Sequence, residues 1–202
     1  MYYVPSMARE RNSKRHIQAK ETRNRILRAA VKLFARQGYH KTTIADLAQA
    51  IELTSGAVFH HFASKELLLD AVVEWLARGI RVYSDMVEAA DRGSYALVRE
   101  IIRVMTDHFR RNPEATICLA ALATELAGSG HPVERRLKAV YELFVESFSK
   151  ALSNHPRVTD PRAAAIAFVG AVQGIAIQGL LREGEETIDE LAGAFLTLML
   201  EW

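Results

Sequence analysis

Apolar residues recur at three- and four-residue intervals along most of the chain, and no run alternates apolar with polar as a half-buried strand would. The pattern predicts an all-α protein. Ile26, Ala30, Leu33 and Phe34 form one stripe of a helix running roughly from 22 to 37, with Arg23, Arg25, Arg28, Lys32 and Arg36 mostly off it. Gly38 stands where a left-handed stop residue is expected. A second helix opens at Thr43, whose hydroxyl caps it and forms an acidic capping box with Asp46. Ile44, Leu47, Ala48 and Ile51 give it a buried side. After a short break Thr54 caps a third helix, about 55 to 61, whose Val58 and adjoining Phe62 point inward and whose first residues, Ser55, Gly56 and Ala57, are small. A helix that opens on small residues lets its backbone approach another surface closely, as recognition helices do at base edges. Ser64 caps a fourth helix, with Glu66 well placed in its first turn.

From there the chain stays helical between breaks at Asp91-Arg92-Gly93, Asn112-Pro113, Gly128 to Pro132, Asn154 to Pro161 and Glu183-Gly184. These breaks delimit six helices, 64–90, 94–111, 114–127, 133–153, 161–182 and 187–201, and bring the expected total to nine. The helix 161–182 carries many small residues, among them Ala167, Gly170, Ala171, Gly174 and Gly179. A glycine inside a helix costs about 1 kcal/mol against alanine, so close approach of another helix is expected to offset it. The last helix offers an apolar side that includes Ala192, Ala194, Phe195, Leu198 and Met199.

Charge changes the picture more than composition does. The net formal charge is only +2. Residues 1 to 65 carry an excess of eight positive charges, and residues 66 to 202 an excess of six negative ones. A basic first third built on a helical motif is the electrostatic signature of nucleic-acid binding. Residues 1–20 lack helical periodicity until late and read as a flexible basic arm that adds phosphate or minor-groove contacts. The expected division is this arm, a DNA-binding domain at 21–66 and a second helical domain at 67–202. No stretch of eighteen apolar residues and no charged-then-apolar leader is seen, which predicts neither a membrane span nor a secretion signal. A single cysteine excludes an intramolecular disulfide and suits the reducing cytoplasm.

The segment 22–69 resembles the DNA-binding domain of the TetR family of bacterial transcription regulators. The likeness rests on Thr22-Arg23, Ile26-Leu27, Ala29-Ala30, Leu33-Phe34, Gly38-Tyr39, Thr42-Thr43-Ile44, Leu47-Ala48, Gly56, His60-His61-Phe62 and Ser64-Lys65-Glu66. It implies nine helices, an N-terminal three-helix helix-turn-helix domain and a C-terminal helical domain for ligand binding and dimerisation. It implies phosphate contacts for Thr43, Thr54, His61 and Lys65, and a groove-lining role for Ser55, Gly56, Ala57, Phe59 and His60. Lys65 supports this independently, because a cation in the first turn of a helix opposes the dipole unless an anion sits there. Two departures stand out. Glu52 occupies a turn position where the family has glycine, so the turn is expected to be strained or reshaped. Phe59 replaces a tyrosine and loses its hydroxyl.

In the second domain the resemblance implies that the last two helices pack against their copies in a homodimer, through Ala167, Gly170, Ala171, Gly174, Phe195, Leu198 and Met199. It also implies an inducer pocket, for which Met105, His108, Phe109, Cys118, Leu122, Tyr141, Phe144, Phe148, Phe168, Gln173 and Ile177 are the candidates. The expected partners are operator DNA, a second copy and a small molecule, and the expected function is a repressor released by that molecule. Cys118, near the start of a helix, leaves open a redox- or electrophile-sensing repressor, and an activator is a further alternative. An enzyme is not expected: no phosphate loop follows a strand, and Asp107, His108 and Glu125 form no evident acid–base set. No cofactor or metal is expected either, since adjacent His60 and His61 diverge by about 100° on a helix. A nonspecific DNA-coating protein is the remaining rival, distinguished by a lack of sequence preference.

Overall fold

The computed structural model describes residues 7–89, 100, 103, 106–153, 156–182 and 187–200, with side chains other than those of 7–12, 82–89, 180, 199 and 200. Its helices are α1 (Met7–Gln37), α2 (Ile44–Ala50), α3 (Ser55–His61), α4 (Lys65–Ala89), α5 (106–111), α6 (Pro113–Leu126), α7 (Glu134–Leu152), α8 (Pro161–Leu181) and α9 (Ile188–Leu200). Among the described residues there is no strand. Among the described residues the all-α, nine-helix plan read from the sequence is the plan observed. The chain divides into two compact units, Met1–Val72 and Val73–Trp202.

Helix α1 begins at Met7, about four turns before the position that apolar periodicity indicates. Residues 13–21 are exposed, so no buried stripe marks this stretch. Arg, Lys, Gln, Glu and Ala are good helix formers, and a helix already nucleated at 22–37 extends through them at little cost. The flexible arm expected over 1–20 is therefore helical from residue 7 onward.

The first unit closes around Ile26, Leu27, Ala30, Phe34, Leu47, Val58, Phe62, Leu68 and Leu69, all buried. Its turns are fastened by polar side chains. Gly38 takes φ 82° after α1, and its N–H donates to the Phe34 carbonyl at 3.0 Å. The fully buried Thr42 hydroxyl donates to the Gly38 carbonyl at 2.7 Å.

In the second unit α7 packs on α8, and α8 on α9. A ring ladder, Phe144, Phe148, Phe168 and Phe195, runs through this core with successive centroids 6.2, 5.2 and 5.9 Å apart. Arg162 forks onto both carboxylate oxygens of Glu142 at 3.0 and 2.7 Å and ties α8 to α7. Caps fix the starts of α8 and α9. Asp160 accepts from the N–H groups of Arg162 and Ala163, and Thr187 forms a capping box with Glu190. Between α6 and α7, Gly128 and Gly130 take positive φ and donate to the two oxygens of Glu134 at 2.9 and 3.2 Å.

The glycines of α8 serve two purposes. A Cβ on Gly179 would stand 2.5 Å from Ile188 Cγ1, so this glycine admits the start of α9. Around Gly170 and Gly174 a Cβ would meet nothing within 4 Å. One premise of the sequence reading is corrected here, that no apolar stretch of eighteen residues is free of charge: Pro161–Gly179 is long and apolar enough to cross a membrane by length and composition alone. Residues 163–181 carry no charged side chain, and only Gln173 and Gln178 interrupt them.

Candidate nucleic-acid interface and ligand cavity

In the first unit, α2 and α3 are both capped by threonine. Thr43 Oγ1 accepts from Asp46 N–H at 3.1 Å while Thr43 N–H donates to Asp46 Oδ2 at 2.8 Å. These bonds from Thr43 hold the Asp46 carboxyl below its ordinary pKa, with a lesser contribution from Lys65. Thr54 Oγ1 accepts from Ala57 N–H at 3.2 Å. Each hydroxyl thus satisfies a helix N-terminus and lies exposed beside it.

The turn between these helices is the most constrained backbone in the unit. Glu52 takes φ 56°, the only positive φ of a non-glycine residue among the described residues. Glu52 N–H donates to the Gln49 carbonyl at 3.2 Å and Leu53 N–H to the Ala48 carbonyl at 2.9 Å. That pair of bonds is a Schellman motif, with a glutamate in the left-handed position usually held by glycine. The turn keeps its shape and carries the strain. Arg25, from α1, donates to the Ile51 carbonyl at 2.7 Å and braces it.

Helix α3 is held from one side. Val58 is fully buried and Phe62 nearly so, whereas Phe59 is 48% exposed and His60 is also exposed. Phe59 is therefore a surface residue and not part of the core. Gly56 faces only the Thr54 hydroxyl, 3.8 Å from a Cβ built there, so the outer side of α3 is open to close approach. The His61 ring is half-buried and edge-on to His60, 5.4 Å away. Burial first, then the nearby His60 and Arg23, lower its pKa below the ordinary imidazole value. Arg23 lies over the Phe62 ring, 4.6 Å from its centroid.

Lys65 has a local reason to exist. Its ammonium donates to the His40 carbonyl at 3.2 Å and sits 4.3 Å from the centre of the Tyr39 ring. Both contacts reward a cation in the first turn of α4 without any phosphate. The sequence did not reveal this role, or that of Arg25, because both partners are backbone carbonyls of distant turns.

The second unit encloses a cavity of about 400 Å³. Of the residues expected there, His108, Phe109, Tyr141, Phe144 and Gln173 line it. Gln173 Nε2 donates to the Tyr141 hydroxyl, which donates in turn to the Leu119 carbonyl at 3.5 Å. Burial raises the Tyr141 pKa, against a smaller lowering by Gln173, and burial lowers that of His108. Among the described residues the rest of the wall is largely apolar, with Arg78, Asn112 and Thr116 as its other polar members and no carboxylate. Trp75, Leu76, Gly79 and Ile80 of α4 and Asn112 and Thr116 at the start of α6 also line it, though sequence reasoning missed them. The α4 residues fall on the helix's apolar face and read as ordinary core.

Five expected cavity residues lie elsewhere. Cys118, Leu122, Phe148 and Phe168 are buried in the core away from the cavity. Burial pushes the Cys118 thiol up to about 12, so it holds its proton and is a poor nucleophile. Ile177 is 44% exposed. Met105 lies outside the described residues.

Ile177 shares an exposed stripe of α8 with Ile166, Gly170 and Leu181. Ala167 is exposed nearby, and Ala171 and Gly174 are partly so. On α9, Leu198 is 63% exposed, while Phe195 turns inward to the ring ladder. The side chain of Met199 lies outside the described residues. Among the described residues no group of three or more His, Cys, Asp or Glu side chains is placed to hold a metal.

Comparison with known proteins gives a consistent result. Residues 26–72 match the model of bacterial regulatory proteins of the tetR family. The HTH-type transcriptional repressor Rv1474c of Mycobacterium tuberculosis is 34% identical over 137 residues, which span 62% of this chain and 70% of that protein. A TetR-family transcriptional regulator from Agrobacterium tumefaciens superposes with a TM-score of 0.75 at 21% identity, over 91% of this chain and 97% of that one. AibR, solved in complex with isovaleryl coenzyme A and operator DNA, superposes with a TM-score of 0.72 at 21% identity, over 87% and 96% of the two chains.

Proposed function

The chain belongs to the tetR family of bacterial regulatory proteins, and we propose that it acts in the cytoplasm as a homodimeric repressor, without catalysis of its own, that a small molecule releases from its operator. The observation that carries this reading is the construction of α3. It is capped by Thr54, anchored by Val58 and Phe62, and leaves Phe59 and His60 exposed on its outer side. Such a helix presents its first turns to the major groove, with Ser55, Gly56, Ala57, Phe59 and His60 toward base edges. Thr43, Thr54, His61 and Lys65 then meet phosphates, which fix register without reading sequence.

The remaining parts follow from the second unit. The exposed stripe of α8, with Leu198 of α9, packs against its copy across a two-fold axis. Ala167, Gly170 and Gly174 let the two backbones approach. The dimer sets two α3 helices about 34–36 Å apart on successive turns of a palindromic site. The inducer enters the cavity lined by His108, Phe109, Tyr141, Phe144 and Gln173. AibR was solved in complex with isovaleryl coenzyme A and operator DNA, and this chain is read as having the same two kinds of partner, a small molecule and an operator. Ligand and DNA oppose each other through one equilibrium, so each weakens the other's binding by the same factor. The test is a gel shift of the purified protein on DNA upstream of its own gene. A complex that survives a large excess of unrelated DNA supports the proposal. Equal competition by operator and unrelated DNA sinks it.

A further inference from the structure

The face of α1 that builds the core does not end where the core ends. Positions 34, 30, 27, 23, 20, 16, 13 and 9 lie on one side of the helix, separated alternately by four and three residues. Phe34, Ala30 and Leu27 are buried. Beyond them the same face continues as Arg23, Lys20, His16, Ser13 and, in register, Arg9. The described part of this extension is exposed, Lys20 and His16 included. The face changes from apolar to basic without leaving the helix.

Where this change falls matters. Arg23 lies over Phe62 at the end of α3, and Arg25 reaches the turn between α2 and α3. The basic stretch therefore leaves the unit beside the helix-turn-helix itself. Nucleated by the packed half of α1, this stretch is helical before any partner arrives, and its basic face is preformed for an anionic rod running past α3. Residues 7–21 span roughly 22 Å, a length of duplex axis over which each DNA strand carries about six phosphates.

Building on the DNA-binding reading above, we infer that the amino-terminal half of α1 is a second DNA contact, which lays the Arg9–Lys20–Arg23 face along the phosphate backbone flanking the groove that α3 enters. It adds affinity and salt dependence without sequence preference.

The experiment compares operator binding by the full chain, the double variant Arg9→Gln/Lys20→Gln and the double variant Lys14→Gln/Arg15→Gln. The last removes two charges from the other side of the same helix. Fluorescence anisotropy is recorded across a salt series. Loss of two phosphate contacts lowers the slope of log Kd against log salt by about 1.8. The first variant is expected to show this change, with its ratio of operator to random-DNA affinity unchanged and its helix content intact by circular dichroism. The second is expected to keep the full slope. Equal slopes for all three proteins overturn the inference, as does the same loss from both variants, which reports net charge and not a face. Binding to vesicles of 30% phosphatidylserine in phosphatidylcholine that Arg9→Gln/Lys20→Gln abolishes, with DNA binding untouched, assigns the face to a membrane instead and also overturns it. Failure of the unmodified chain to prefer its operator is a separate result, visible before any variant is made, and counts against the repressor reading.

Discussion

Glu52→Gly tests the turn between α2 and α3 more directly than any other substitution. Glu52 sits at φ 56°, closes a Schellman motif and is exposed. A side chain in left-handed geometry costs roughly 1–2 kcal/mol that glycine does not incur. Glycine returns about 0.4–1 kcal/mol of that through the greater freedom of the unfolded chain. The carboxylate also lies at the C-terminal end of α2, where the helix dipole disfavours a negative charge by a few tenths of a kcal/mol at an exposed site. Together these give a stabilisation of about 1 kcal/mol for glycine. Two further variants separate the causes. Glu52→Gln removes the charge and keeps the strain, and is expected to gain only a few tenths of a kcal/mol. Glu52→Ala also keeps the strain and is expected to fall close to Glu52→Gln. Urea unfolding followed by far-UV circular dichroism, at one fixed protein concentration because dimerisation contributes to stability, reads the midpoint at constant m. The reasoning is refuted if glycine is no more stable than glutamine, or if alanine matches glycine.

On α3, Phe59→Ala and His60→Ala should lower affinity for the operator more than for random DNA, whereas Lys65→Ala should weaken both about equally; matching effects from His60 and Lys65 in a competition assay contradict the division between base and phosphate contacts. Lys65→Ala should also lower the melting temperature, because it removes the contacts to the His40 carbonyl and the Tyr39 ring. Asp46 has a folded pKa below its unfolded one, so its contribution to stability is present above about pH 4 and lost as pH falls through the folded value; the stability difference between the wild type and Asp46→Asn should close over that acid window, and a difference independent of pH rejects the assignment. Cys118 should resist thiol reagents until the protein unfolds, and Cys118→Ala should keep operator binding and its release by ligand; fast labelling of the folded protein would restore the sensing alternative. Leu119→Trp should fill the cavity and abolish release by inducer while operator binding persists, measured by anisotropy with and without ligand.

What the sequence made legible depends on whether a residue's partner is near it in the chain. Thr43 with Asp46 and Thr54 with Ala57 are local pairs, and their caps appear in the structure as read. Periodicity located the buried faces of α2 and α3 for the same reason. Glu52 was legible as an anomaly only through the family resemblance, which puts a glycine there, and the structure gives the reason in its left-handed φ at the end of α2. Residues whose partners are distant were not. Arg25 and Lys65 look like surface cations until the fold brings them to the Ile51 and His40 carbonyls. The cavity was half legible. Tyr141 and Gln173 lie 32 residues apart and meet only in the folded chain, while Cys118 and Phe148 share the same apolar signal and end in the core. An apolar helix face says that something covers it. It does not say whether the cover is a neighbouring helix, a cavity or a second chain. Ile177 shows the consequence: an apolar residue offered for the pocket that the resemblance implies stands on the exposed stripe of α8.

On the function proposed above, α4 carries the coupling between ligand and DNA, and the strength of its anchorage bears on how readily it responds. The same helix bears Lys65 in its first turn and supplies Trp75, Leu76, Gly79 and Ile80 to the cavity wall. Leu68 and Leu69, between them, are fully buried and hold the helix firmly to the first unit. Lys65 is held differently, by one hydrogen bond and one ring face at a partly exposed site, worth about 1 kcal/mol or a little more together. A shift of α4 that strains these two contacts while Leu68 and Leu69 keep theirs would move the turn containing Tyr39 and His40, directly before the Thr43 cap of α2. Couplings between effector and DNA are typically 1–3 kcal/mol. The Lys65 contacts fall at the lower end of that range. A ligand with only a modest preference for one position of α4 is therefore enough to change how α2 and α3 are held, without unfolding any part of the core.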